Sequence, residues 1–137
     1  RRALADTARA GADVRLLLPD HHTDAKPIRQ ASHSYFDELL SAGVRVYEYQ
    51  RTMLHAKTLV VDGAWSVVGS ANMDIRSKEL NQENVIGILD TGFAQQLERT
   101  FEDDLKDARE ITLDAWRRRA LWKKAVERFW VLFAEQY

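Results

Sequence analysis

The sequence predicts an α/β fold, a mixed β-sheet flanked by helices and followed by a C-terminal amphipathic helix, and three observations carry that reading. Short alternating apolar runs are separated by stretches of helical period. An Asp62-Gly63 pair joins two such runs as a hairpin, so at least one strand pair is antiparallel. From Thr91 onward the period changes from two to that of a helix, with Phe93, Leu97, Phe101 and Leu105 spaced for one buried face. In chain order, Leu4 to Ala10 is helical and stops at Gly11. "ADVRLLLP" is a strand closed by Pro19, and "DHHTDA" is a polar loop. Pro27 suits the first turn of a helix that runs to about Ala42 and ends at Gly43. "VRVYEY" alternates as a strand should. His55 to Val61 and Trp65 to Val68 form the hairpin strands, and "ENVIGILD" holds another short strand. A last helix runs from about Leu113 to Gln136, so residues 1–112 are expected to form the domain and 113–137 the closing helix. No internal repeat or low-complexity tract interrupts this order.

Bulk composition bounds the function. At 137 residues and 45% hydrophobic content the chain suffices for one domain with a core. Twenty basic and 21 acidic residues give a formal net charge of −1, so no global positive field draws a nucleic acid and any anion site is local. The absence of cysteine removes disulfide frameworks and thiolate metal sites. No apolar run approaches the roughly 20 residues of a membrane-spanning helix. The opening "RRALADTARAG" has no initiator Met and begins in or just before a helix, which suggests a piece of a longer chain.

The stretch "LHAKTLVVDGAWSVVGSAN", Leu54 to Asn72, concentrates the chemistry. Residues two apart in a strand share a face, so a strand beginning at His55 projects His55 and Lys57 together. The hairpin then returns Gly69, Ser70 and Asn72 to the same end. An imidazole, an ammonium, a hydroxyl, a carboxamide and the backbone N–H groups around a glycine suit a phosphate: charge and donors for its oxygens, and a neutral nitrogen able to attack phosphorus or move a proton. A lone His or Lys on a hairpin is ordinarily surface decoration; five such positions at fixed spacing favour chemistry.

His55-x-Lys57-x4-Asp62 followed by Gly69-Ser70-x-Asn72 resembles the HKD signature of the phospholipase D superfamily. The flanks "YEYQRTMLHAK" and "GSANMDIRSKELNQENV" are similar to cardiolipin synthases within it. The resemblance covers nearly the whole chain, as the second, C-terminal HKD half of such an enzyme. It implies that His55 is the nucleophile or the leaving-group acid, with a phosphohistidine formed on one of two such histidines. It implies that Lys57 and Asn72 bind the phosphate with help from Ser70, and that Glu83 is the carboxylate that holds the imidazole. Asp62 belongs to the motif's catalytic set by name; its place in the predicted turn makes a structural role at least as good a reading. Arg76, in "MDIRS", resembles a recurrent position in the synthases and suits a lipid headgroup, against a solvated surface arginine. No cofactor or metal is implied, since lysines and amides supply the charge stabilisation.

In-line displacement at phosphorus needs a nucleophile on one face and a proton donor on the other, and one imidazole cannot serve both. A second HKD half, in the same longer chain or in a homodimer partner, is therefore expected. The implied activity is a phosphatidyltransferase forming cardiolipin from phosphatidylglycerol, membrane-associated on the cytoplasmic face of a bacterial inner membrane. The competing readings are a phospholipase D-type hydrolase or a dimeric nuclease, the latter disfavoured by the balanced charge, and a noncatalytic membrane-binding module.

Two further features have a bland and a sharp reading. "PDHHTD" gathers Asp20, His21, His22 and Asp24, but adjacent histidines in extended chain point oppositely, so a polar loop at the pocket entrance is preferred to a metal site. Near Ser34 and Tyr35 a substrate contact is possible, with core packing of Tyr35 and Phe36 the default. In the terminal helix, Trp122, Val126, Phe129, Trp130, Phe133 and Tyr137 share a face, with Arg118, Lys123, Lys124 and Arg128 on the remainder. That pattern fits an interfacial membrane anchor and equally a face packed on the domain or on a missing half.

Overall fold

A computed structural model describes residues 1–22, 29, 32–71 and 82–119. It divides into two compact units, Arg1–Leu54 with Asp107–Tyr137, and His55–Lys106. The architecture is α/β, as the periodicities predict, but the strands form two three-stranded sheets, one in each unit, instead of one.

The first unit holds α1 (Arg2–Arg9), β1 (Arg15–Pro19), α2 (Phe36–Ser41), β2 (Arg45–Tyr49), β6 (Ala108–Ile111) and α4 (Leu113–Arg117). Both predicted glycine stops hold for the same physical reason. Gly11 (φ 98) and Gly43 (φ 93) adopt a left-handed conformation that side chains resist. The turns they make let Gly11 N–H reach the Ala8 carbonyl and Ala12 N–H the Thr7 carbonyl, and likewise Gly43 to Leu40 and Val44 to Leu39, satisfying the last carbonyls of each helix. The helix predicted from Pro27 to about Ala42 is not continuous: Ser34 and Tyr35 form a turn and α2 begins only at Phe36, while residues 27, 28, 30 and 31 lie outside the described residues.

β2 is the centre of its sheet, parallel to β1 and antiparallel to β6. Strand β6 was not anticipated, because four residues between two helical stretches carry too little alternation to register as a strand. Ala5, Phe36, Leu39, Ala42, Val44, Val46 and Trp116 form the core. The rings of Phe36 and Trp116 lie 4.8 Å apart, and the default reading of Phe36 as a packing residue holds; Tyr35 stays partly exposed under the Arg1 guanidinium. Helix α4 starts at Thr112, whose hydroxyl caps Ala115 N–H. The helix predicted to run unbroken to Gln136 ends at Arg117, where Arg118 caps it and turns the chain; the residues beyond Arg119, and with them the aromatic face from Trp122 to Tyr137, lie outside the described residues. Among the described residues no helix is long and apolar enough to cross a membrane.

On the same inward phase of β2 as Val46 sits Glu48, 2% exposed. Its Oε1 is paired with Arg29 Nη2 and lies 3.3 Å from His33 Nε2; its Oε2 accepts from Arg109 Nη2 at 2.6 Å. Burial pushes the carboxyl toward neutrality, but the hydrogen bonds from His33 and Arg109 and the charge of Arg29 outweigh it and hold the pKa at about 2. A charge at an inward strand position was the sequence signal for this cluster.

The second unit contains β3 (Thr58–Val61), β4 (Trp65–Gly69), β5 (Val85–Leu89) and α3 (Thr91–Leu105), all three strands antiparallel in the order β3-β4-β5. Asp62 (φ 50) and Gly63 (φ 61) make the predicted turn, with Ala64 N–H donating to the Val61 carbonyl. Asp90 caps α3 by accepting from Phe93 N–H at 2.7 Å. The helix packs on β3 and β4 through Ala94, fully buried, with Phe93, Leu97, Phe101 and Leu105 half-buried beside it. Strand β3 is shorter than predicted: His55, Ala56 and Lys57 precede it. Pairing ends there because β4 turns away after Gly69, whose N–H makes the last bond to the Lys57 carbonyl at 3.2 Å, while Ser70 N–H turns to the Asn84 carbonyl at 2.9 Å.

Two predictions follow from the packing. Glu48→Gln leaves two guanidinium groups facing a neutral amide and is expected to destabilise by about 3 kcal/mol in chemical denaturation. Because Glu48 titrates lower when folded, its contribution is complete above its usual 4.5 and is lost as pH falls toward 2; the wild-type stability curve falls across that window and the variant's falls less. At Gly69 an added Cβ would sit 2.3 Å from the Asn84 carbonyl oxygen and 2.9 Å from Val85 Cα, both backbone. Gly69→Ala should therefore cost about 2 kcal/mol and raise amide exchange at Ser70 and Val85, which report the β4–β5 seam.

Candidate active site

The β3–β4 hairpin delivers the predicted cluster through its register. Thr58 pairs with Val68, so the residues before Thr58 and those after Val68 emerge at one end of the sheet, opposite the Asp62-Gly63 turn. There His55, Lys57, Gly69 and Ser70 line an open concavity of about 240 Å³. His55 is exposed and Lys57 half-buried. The two do not project from a regular strand as expected. Instead Lys57 Nζ folds back to donate to the His55 carbonyl at 2.9 Å, which holds the ammonium beside the segment that carries the imidazole.

Ser70 is fixed from three sides. Its hydroxyl donates to Glu83 Oε2 at 2.5 Å and accepts from Asn84 N–H at 3.1 Å, while its own N–H donates to the Asn84 carbonyl. Charge-assisted hydrogen bonds of this kind are the strong ones, and they lock the hydroxyl at the rim of the concavity. Glu83 thus engages Ser70 directly, a contact that sequence spacing did not reveal, and Asn84 enters the site through its backbone alone. The sequence signal for it was only its place between Glu83 and strand β5.

The remaining predicted residues divide cleanly. Asp62 lies in the turn at the far end of β3 from His55, exposed, with a left-handed backbone. Asn72 and Arg76 lie outside the described residues. The adjacent histidines of "PDHHTD" do not diverge as extended chain would have them: the His21 and His22 rings lie 4.0 Å apart at 37°, both with Nδ1 toward Asp20. Asp24 is outside the described residues.

The concavity is lined by one ammonium, one imidazole, a hydroxyl whose proton is given to Glu83, and Gly69. The ammonium and a ring N–H suit the oxygens of a tetrahedral anion, and an imidazole nitrogen is a group able to attack its central atom.

Comparison with known proteins shows the family. The family model described as cardiolipin synthase, PLD-like domain, matches residues 1–105. Cardiolipin synthase A of Erwinia tasmaniensis is 39% identical over 132 residues, 96% of this chain and 27% of that protein. Cardiolipin synthase 2 of Bacillus anthracis is 44% identical over 125 residues, 91% of this chain and 24% of that protein. The chain therefore spans about a quarter of the length of the relatives it matches. Among solved structures, a phospholipase D family member, Nuc from Salmonella typhimurium, superposes with a TM-score of 0.72 over 81% of this chain and 72% of its own at 19% identity, a likeness of fold. On the family match and the HKD residues it contains, this chain belongs to the phospholipase D-like domain family of the cardiolipin synthases.

Proposed function

We propose that this chain is one HKD half of a phosphatidyltransferase that makes cardiolipin from phosphatidylglycerol. The observation that carries the proposal is the meeting of His55, Lys57, Gly69 and Ser70 around one concavity; the 39% and 44% identities to proteins named as cardiolipin synthases support the substrate class. One of two histidines, His55 or its counterpart in the second half, attacks the phosphorus of a phosphatidylglycerol. The P–N bond forms as the P–O bond to glycerol breaks, and the other histidine gives its proton to the departing glycerol. A hydroxyl of a second phosphatidylglycerol then loses its proton to that same histidine and attacks phosphorus, breaking the P–N bond and releasing cardiolipin.

Lys57 and Asn72 hold the non-bridging oxygens, and Ser70, clamped by Glu83, adds a fixed dipole at the rim. In this reading Glu83 orients His55 by way of the site it shares with Ser70. Arg76 serves the headgroup, and Asp62 keeps the hairpin turn. The partner is a second HKD half, in the same chain or a second copy. Leu113–Arg117 packs into the first unit through Trp116, and the basic, aromatic-rich segment 120–137 that follows brings the enzyme to the membrane surface.

A second reading has an observation of its own. The concavity is open and His55 exposed, which admits water to a phosphohistidine; the same residues would then hydrolyse phospholipid to phosphatidic acid.

Labelled phosphatidylglycerol supplied to the longer protein that carries both HKD halves distinguishes these outcomes: cardiolipin plus glycerol supports the transferase, phosphatidic acid the hydrolase, and turnover of neither overturns both. His55→Ala is expected to lower turnover by about 10⁴-fold or more and Lys57→Ala by roughly 10²–10³-fold, while Asp62→Val, which resists the left-handed turn conformation, lowers the melting temperature more than the rate. The 137-residue chain held as a verified monomer should turn over poorly or not at all; robust activity there would refute the need for a second half.

A further inference from the structure

We propose that Asp20, His21 and His22 form a binding site for a divalent transition metal of the zinc class. Asp20 directly follows β1 and is 1% exposed, yet its carboxylate faces two imidazoles from the next two residues. Asp20 Oδ1 accepts from His22 N–H at 2.8 Å and lies 2.9 Å from His22 Nδ1, and Asp20 Oδ2 lies 2.6 Å from His21 Nδ1. The donor atoms of the three residues all fall within 4.8 Å of one another.

The second observation is the state of Oδ2. It is buried and makes no hydrogen bond, although the His21 nitrogen is so close. Oδ2 therefore keeps a lone pair uncommitted to any hydrogen, beside an imidazole nitrogen that can also act as a ligand. A buried carboxylate oxygen without a hydrogen bond is unfavourable; a cation held between Oδ2 and the two Nδ1 atoms relieves that. Ligand nitrogens and oxygens bind such an ion at about 2.0–2.2 Å, so the present N···O separations need open by only about half an ångström. The imidazole side chains, 72% and 46% exposed, have the freedom to do so.

The donor set selects the metal. Two neutral imidazoles and one carboxylate suit zinc, nickel or copper, whereas calcium and magnesium call for all-oxygen shells. The exposed side leaves positions for water. The site uses no residue of the phosphate concavity; an ion there would pin the chain as it leaves β1.

The test is calorimetric titration of ZnCl2 into the chelator-stripped full chain at neutral pH in phosphate-free buffer, with the visible spectrum of bound Co²⁺ as a second readout. One ion per chain is expected with a Kd in the micromolar range or tighter. Because Asp20 is buried and its replacement risks misfolding, the informative variants are the exposed histidines: His21→Ala and His22→Ala should each weaken binding at least tenfold, and His55→Ala should leave it unchanged. No saturable zinc binding, equal binding by the His21→Ala/His22→Ala double variant, or loss of binding in His55→Ala would overturn the proposal.

Discussion

The antiparallel register of β3 and β4 is the constraint on which the candidate site depends. Because Val61 pairs with Trp65 and Thr58 with Val68, everything chemically useful leaves the ladder at one end. A slip of one residue would turn Leu59 and Val67 to the opposite face and carry Ser70 away from His55. The register is set by the turn, where Asp62 and Gly63 take two consecutive left-handed conformations that few other residue pairs accept. The motif aspartate therefore contributes at a distance: it fixes how the chain folds back, and the fold-back aligns the imidazole, the amine and the hydroxyl. Gly69 makes the complementary contribution at the other end, since only a residue without a side chain lets β4 pass so close to the Asn84 carbonyl.

Most of the fold is legible in the sequence where a local device enforces it. The two glycine helix stops, the Asp-Gly hairpin and the period switch at Thr91 each correspond to a backbone geometry that other residues disfavour, and each is found where the sequence puts it. What was not legible rests on contacts distant in sequence. β6 exists because Ala108 to Ile111 find β2 across some sixty residues, and no four-residue pattern announces that. The division into two sheets is likewise a matter of which strands meet, since alternation marks strands and not their neighbours.

The site shows the same boundary between local and non-local information. His55, Lys57, Gly69 and Ser70 converge because a single hairpin joins them, and hairpins are the long-range contacts easiest to infer. Glu83 reaches Ser70 from a separate segment at the start of β5, so its partner had to be seen. The histidine pair after β1 went the other way. Alternation predicts opposed side chains only for extended chain, and Asp20 bends the backbone by accepting His22 N–H, a local Asx-type bond that brings both rings to one side.

Two buried or clamped carboxylates organise the chain in different ways. Glu48 is surrounded by cations and kept ionised, so its charge is already neutralised and it serves the core of its unit. Glu83 instead accepts from the Ser70 hydroxyl at 2.5 Å, which uses that hydroxyl's proton and sets its orientation at the rim of the concavity. The side-chain donors left to face an anion there are the Lys57 ammonium and the His55 ring. In the proposed transferase a single imidazole beside that rim would form or break one bond to phosphorus at a time, and in-line geometry would leave the opposite face to the histidine of a second half.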